Sequence, residues 1–124
     1  MADGLCIVCD ENLAITPALT ALARDIIRLP GRAIRTGDLS GADVLLVRSV
    51  TCVDEALIAH SSLRFVGTAT AGTEHIDVQA LARQGITFAS APGANANAVV
   101  EYVLTALAFS GRLKPLLSGG TIGV

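Results

Sequence analysis

Two short segments carry residue types that could hold an anion. Arg48-Ser49 places a guanidinium beside a hydroxyl, and such a pair suits phosphate or carboxylate oxygens. Thr68-Ala69-Thr70-Ala71-Gly72-Thr73 is a run of small residues with one glycine, so its backbone N–H groups can approach an anion closely and form a nest. The two together would suit a small substrate with negative charge at both ends. Each segment also has a plainer explanation. Arg48 could be a surface residue pairing with a nearby carboxylate, and Ser49 and Thr70 could simply satisfy turn backbone groups. The small residues could serve only close helix packing.

Whether these segments converge depends on the elements that carry them. Leu5 to Cys9 is a compact apolar run ending in Asp10-Glu11-Asn12, which predicts a strand entering a loop. Residues 16–27 have apolar positions at helical spacing, with Thr16 as a cap and Pro17 in the first turn. A second strand falls somewhere within 25–29, and 34–39 is a short turn or helix. The pattern then gives a buried strand over 44–47, a helix over 54–60 capped by Asp54, and a strand over 64–67. Asp77 opens a helix to Gln84 that Gly85 closes. A strand over 86–89 precedes the longest helix, 95–112, which has Val99, Val100, Val103, Leu104 and Leu107 on one broad apolar side. Residues 121–124 are expected to begin a further strand.

Strands alternating with helices imply right-handed crossovers and a flavodoxin-like, doubly wound parallel sheet of the α/β class. Ligands of such sheets bind beyond the carboxyl ends of the strands. That rule marks the loops at 10–12, 48–51, 68–73 and 91–97, so both anion-binding segments fall where a site belongs.

Composition narrows the function classes. Hydrophobic residues make up 52% of the 124, with one Tyr, three Phe and no Trp, so the core is built from Ala, Val, Ile and Leu. The net charge is −2 and the arginines are scattered, leaving no basic track for a nucleic acid. Apolar runs break well before ~18 residues and no basic segment precedes an apolar core at the N-terminus, so neither a membrane span nor a secretory signal is expected. A cytoplasmic protein is expected. Cys6 and Cys9 form a C-x-x-C pair, but on a strand residues three apart point to opposite faces. They are therefore expected to be buried structural thiols rather than a redox pair. No metal-ligand cluster is evident.

The segments Val47-Arg48-Ser49-Val50-Thr51, then Phe65 through Asp77 with its Gly-Thr-Glu-His-Ile-Asp ending, then Ala91-Pro92-Gly93-Ala94-Asn95-Ala96-Asn97 and Val99-Val100-Glu101-Tyr102, closely resemble the D-2-hydroxyacid dehydrogenases. The family pattern is a glycine-bearing loop before His-Ile-Asp, then an Asn shortly ahead of a Val-x-Glu helix. The Arg-Ser-Val-Thr and Thr-Ala-Thr-Ala-Gly-Thr forms resemble a branch that acts on a small phosphorylated hydroxy acid.

The resemblance implies an NAD-dependent oxidoreductase. It matches Ser49 and Thr70 to the family's substrate-binding positions and sets Arg48 beside them as a phosphate or carboxylate partner. Ala71 and Gly72 would offer backbone donors to the substrate carboxylate, and Asn95 and Asn97 would lie near the cofactor. The family's catalytic Arg, acidic residue and His lie downstream of residue 124, as does its glycine-rich dinucleotide turn. His75 and His60 are expected to pack or be solvated instead. The expectation is therefore an N-terminal portion that is inactive alone. Residues 1–94 would form the substrate-binding domain, and 95–124 an inter-domain helix with the first strand of an NAD-binding domain. A homodimer is expected for the whole enzyme. Self-association through the bare helix 95–112 is expected for this portion.

Two other classes compete. A phosphoacceptor domain shares the fold and the acidic pair after the first strand, but the aspartate and lysine positions it needs hold Arg48-Ser49 and Ala89-Ser90. A free-standing module that binds an anionic metabolite without chemistry stays open, because the binding loops are present and the catalytic residues are not.

Overall fold

The computed structural model describes residues 3–123. These fall into two compact units that meet in sequence between Pro92 and Gly93. The first unit is built on a five-stranded parallel sheet in the order β2-β1-β3-β4-β5. Its strands are β1 (Leu5–Asp10), β2 (Ala23–Leu29), β3 (Val44–Val47), β4 (Phe65–Thr68) and β5 (Thr87–Ala89). The order changes direction beside β1, which is the flavodoxin-like winding.

Alternation along the central strands divides the core in two. Val8, Leu45, Val47 and Val66 face one side, where they pack with Leu57, Ile58, Ala80 and Leu81 of helices α2 (Glu55–Ile58) and α3 (Val78–Arg83). Ile7, Cys9 and Val44 face the other side, against Leu13, Ile15 and Leu19 around helix α1 (Pro17–Leu22). Both Cys6 and Cys9 are buried and unbonded, while Cys52 is exposed. Burial pushes the Cys9 thiol above its ordinary value; Arg28 pulls it down and Asp10 up to lesser degrees.

The helix caps follow side-chain chemistry. Thr16 accepts from the Leu19 N–H at 3.2 Å, Asp54 from Leu57 at 2.8 Å and Asp77 from Ala80 at 2.9 Å. Each satisfies one of the orphan donors of a first turn. Gly85 follows α3 with φ of +69°, a left-handed turn that glycine takes without Cβ strain.

Three expectations are corrected. The helix expected over 16–27 stops at Leu22, and Ala23–Leu29 is a strand paired with β1. Being an edge strand, β2 half-buries Ala23, Ile26 and Leu29, a spacing of three that imitates a helix in the sequence. The long helix of the second unit, α4, spans Ala96–Phe109 rather than 95–112, because Gly111 turns the chain at φ of +73°. A further short helix α5 (Leu113–Leu117) follows it. Thr121–Gly123 is not a strand, and Val124 lies outside the described residues. No helix among the described residues is long and apolar enough to cross a membrane.

Candidate functional site

Parallel register decides where the loop residues fall. Val47 of β3 pairs with Thr68 of β4, so Ser49 and Thr70 each lie two residues beyond a matched pair. The Ala69 N–H donates to Val47 O at 3.0 Å and carries the pairing one residue past the strands. Beyond β5, the Ala91 N–H donates to Thr70 O at 3.0 Å. Three consecutive strand tips are thus tied side by side at the carboxyl edge of the sheet. Ser49 is exposed in the turn closed by Thr51 N–H to Arg48 O, and Thr70 is half-buried.

Arg48 leaves β3 toward the neighbouring tip of β1. Its Nη1 lies 3.8 Å from Oδ1 of Asp10, a residue with no exposed surface. The same Asp10 oxygen accepts the Asn12 N–H at 2.8 Å, whereas Oδ2 has no hydrogen-bond partner among the described residues. Arg48, Arg32, Asn12 and Gly31 line a cavity together with Asp10. The plainer alternative for Arg48, a partly exposed residue pairing with a nearby carboxylate, is what the structure shows, and that carboxylate is buried.

The loop after β4 is organised by side-chain hydroxyls. Thr70 Oγ1 donates to Gly72 O at 2.8 Å and lies 2.7 Å from Thr68 Oγ1, which in turn lies 2.9 Å from His75 Nε2. Among the described residues no acceptor takes the N–H of Ala71 or of Gly72, and the Glu74 carboxylate lies against Gly72. The far end of the loop is fixed by a parallel bridge between Val53 and Ile76, with Val53 N–H to His75 O and Asp77 N–H to Val53 O both 2.8 Å. A cleft lined by Cys9, Leu13, Leu46, Thr68, Ala69 and Ser90 opens beside this loop on the α1 side.

Sequence reasoning missed the two residues that support the loops, Asp10 and His75. The sequence marks Asp10 as a strand-end residue and half of an acidic pair, but nothing in a sequence marks a carboxylate as buried. His75 was assigned to packing or capping, and only the turn of the loop brings it to Thr68. Asn95 and Asn97 lie in the second unit at the start of α4. Both are exposed, and the Asn95 side chain makes no capping bond. The other histidine, His60, is exposed with φ of 59°. No cluster of three or more metal-ligating side chains occurs among the described residues.

The family model described as "D-isomer specific 2-hydroxyacid dehydrogenase, catalytic domain" matches residues 32–117, more than half of the chain. The chain belongs to the D-isomer specific 2-hydroxyacid dehydrogenase family. Among the family's curated proteins, the erythronate-4-phosphate dehydrogenase of Teredinibacter turnerae is 51% identical over 117 residues, covering 94% of this chain and 32% of its own length. That of Azotobacter vinelandii is 55% identical over 101 residues, covering 82% and 27%. The chain therefore spans about a third or less of these 2-hydroxyacid dehydrogenase relatives. Solved structures agree in fold. D-lactate dehydrogenase of Aquifex aeolicus, complexed with NAD and lactic acid, superposes with a TM-score of 0.66 at 19% identity, covering 90% of this chain and 37% of that one. The NAD-bound 3-phosphoglycerate dehydrogenase of Entamoeba histolytica gives 0.67 at 21%, covering 82% and 37%.

Proposed function

We propose that this chain supplies the substrate-holding part of an NAD-dependent oxidoreductase that converts 4-phospho-D-erythronate to 2-oxo-3-hydroxy-4-phosphobutanoate in pyridoxal 5'-phosphate synthesis. The observation that carries it is the placement of Ser49 and Thr70 on adjacent, in-register strand tips, with Arg48 beside them. The identity of 51% and 55% to erythronate-4-phosphate dehydrogenases supports the choice of substrate.

In this proposal the acid is held at both ends. The Arg48 guanidinium meets one anionic group by charge-assisted hydrogen bonds. The open N–H groups of Ala71 and Gly72 meet the other, as backbone donors do in anion nests. Ser49 and Thr70 orient the hydroxyl-bearing carbons between them. None of these residues is a base, so in this proposal they bind and orient the acid and do not abstract its proton.

NAD would accept the hydride when bound. The exposed amides of Asn95 and Asn97 are free to meet a polar ligand, but no glycine-rich turn between a strand and a helix occurs in Gly93–Val124 among the described residues. These residues alone do not fit a dinucleotide. We assign 1–94 to the substrate domain and 95–124 to the connection with a cofactor domain. The free cysteines fit a reducing cytoplasm. The exposed Val99, Val100 and Leu104 of α4 fit a homodimer.

The test is NAD reduction by the whole gene product with 4-phosphoerythronate. Ser49→Ala and Thr70→Ala should each raise the KM for the acid about tenfold, the equivalent of one hydrogen bond, and leave the KM for NAD within about twofold. Unchanged substrate kinetics in both variants rejects the assignment.

A further inference from the structure

His75 has no part in the binding scheme above, yet it ends a chain of hydroxyls that begins at Thr70. The direction of every bond in that chain follows from counting protons. Gly72 O is a carbonyl and can only accept, so the single hydroxyl proton of Thr70 goes to it at 2.8 Å. Thr70 Oγ1 then has only lone pairs for Thr68, so the 2.7 Å contact is donated by Thr68. With its own proton used, Thr68 must accept at 2.9 Å from His75 Nε2. The imidazole therefore carries a proton on Nε2. Either the Nε2–H tautomer or the imidazolium satisfies this, and the Nδ1–H tautomer does not.

We propose that His75 is a positioning residue that, through Thr68, fixes the Thr70 hydroxyl as a hydrogen-bond acceptor toward the ligand. The proposal rests on the reading that Thr70 meets the substrate. With its proton held by Gly72 O, Thr70 presents only a lone pair and selects a ligand group that donates. That group is a hydroxyl of the acid and not an oxygen of its carboxylate or phosphate. The anionic ends fall to Arg48 and to the N–H groups of Ala71 and Gly72, which have protons to give. Thr68 is buried at 5% exposure, so water competes poorly for the middle of the relay.

Nitrogen-15 NMR on this 124-residue chain tests the relay without any ligand. His60 is the only other histidine and serves as the exposed reference. In mildly alkaline solution His75 should show a protonated Nε2, and the Thr68 and Thr70 hydroxyl protons should exchange slowly. His75→Phe, which cannot donate, should speed Thr70 hydroxyl exchange about tenfold, equal to about 1.4 kcal/mol. His75→Gln, which keeps a donor, should restore most of the protection. A bare Nε2 in the native chain overturns the proposal and needs no variant. So does unchanged exchange in His75→Phe, or a His75→Gln chain that is folded by circular dichroism but no better protected than His75→Phe.

Calorimetric titration with 4-phosphoerythronate is the second arm. Affinity about tenfold weaker in His75→Phe and regained in His75→Gln supports positioning toward the ligand, and equal affinity in all three overturns it. If the native chain does not bind the acid, the substrate assignment falls while the NMR arm still decides the relay.

Discussion

The carboxylate of Asp10, with no exposed surface, lies 3.8 Å from the guanidinium of Arg48 across the tips of β1 and β3. A buried carboxylate without a cation is costly, and among the described residues Arg48 is its only ion-pair partner. Arg48 thus offsets the charge of Asp10 across the two strand tips. In the proposed binding scheme, a guanidinium held by this pair before the ligand arrives would lower the ordering cost of binding.

Removing Arg48 should therefore destabilise the fold through Asp10. Arg48→Ala is expected to cost about 1 kcal/mol, the low end for a pair whose cation is partly solvated. Adding Asp10→Asn should recover part of that loss. Urea unfolding of the two single variants and the double variant measures the coupling, and strictly additive costs would show that the two side chains act independently.

Gly31 packs directly behind this pair. A Cβ there would collide with Asp10 Oδ2 and stand 2.8 Å from Val50 Cγ2 and 3.0 Å from Thr51 Oγ1. The Thr51 hydroxyl also donates to Gly31 O at 2.9 Å, so the backbone cannot retreat freely. Gly31→Ala should lower stability by about 1–3 kcal/mol, or roughly 4–8 °C in Tm for each kcal/mol. A thermal melt matching the native chain would mean that the β1 tip yields more readily than its packing implies.

The sheet was legible because its central strands are short branched-aliphatic runs bounded by polar loops, and Val44–Val47 matches its expected bounds. The caps Thr16, Asp54 and Asp77 were legible from residue type alone. The β2 boundary was not. Arg24-Asp25-Ile26-Ile27-Arg28 lacks the alternation of a half-buried strand, and its pairing to β1 shifts register between Leu5 and Cys6. At the site, Ser49 and Thr70 could be nominated because both follow strands. The support from Asp10 and His75 depends on contacts between residues 38 and seven positions apart, which no local pattern encodes.

Thiol labelling should separate the cysteines. In the folded chain iodoacetamide should modify Cys52 first and leave Cys6 and Cys9 until the chain unfolds. Because burial raises the Cys9 value above 9.0, its proton is bound more tightly folded than unfolded. The resulting stability is complete below about pH 9 and declines as pH rises through the raised folded value. A Tm that climbs as the pH is raised above 9 would contradict this sign, and Cys9→Ala should flatten that part of the curve.

Asp77 joins a cap to the loop that bears His75. Its side chain receives the Ala80 N–H while its own N–H donates to Val53 O. Asp77→Ala is expected to cost about 1 kcal/mol, and Asp77→Asn or Asp77→Ser should cost less because each still accepts. Equal losses in all three variants would mean that the carboxylate charge, and not the cap, is what matters.

The bridge between Val53 and Ile76 stitches the segment following Ser49 to the segment following Thr70. Loops joined in this way cannot open like separate flaps; they rise or settle as one hem along the edge of the sheet. A ligand touching either segment would meet a surface whose other half is already in place, and damage to one seam would loosen both.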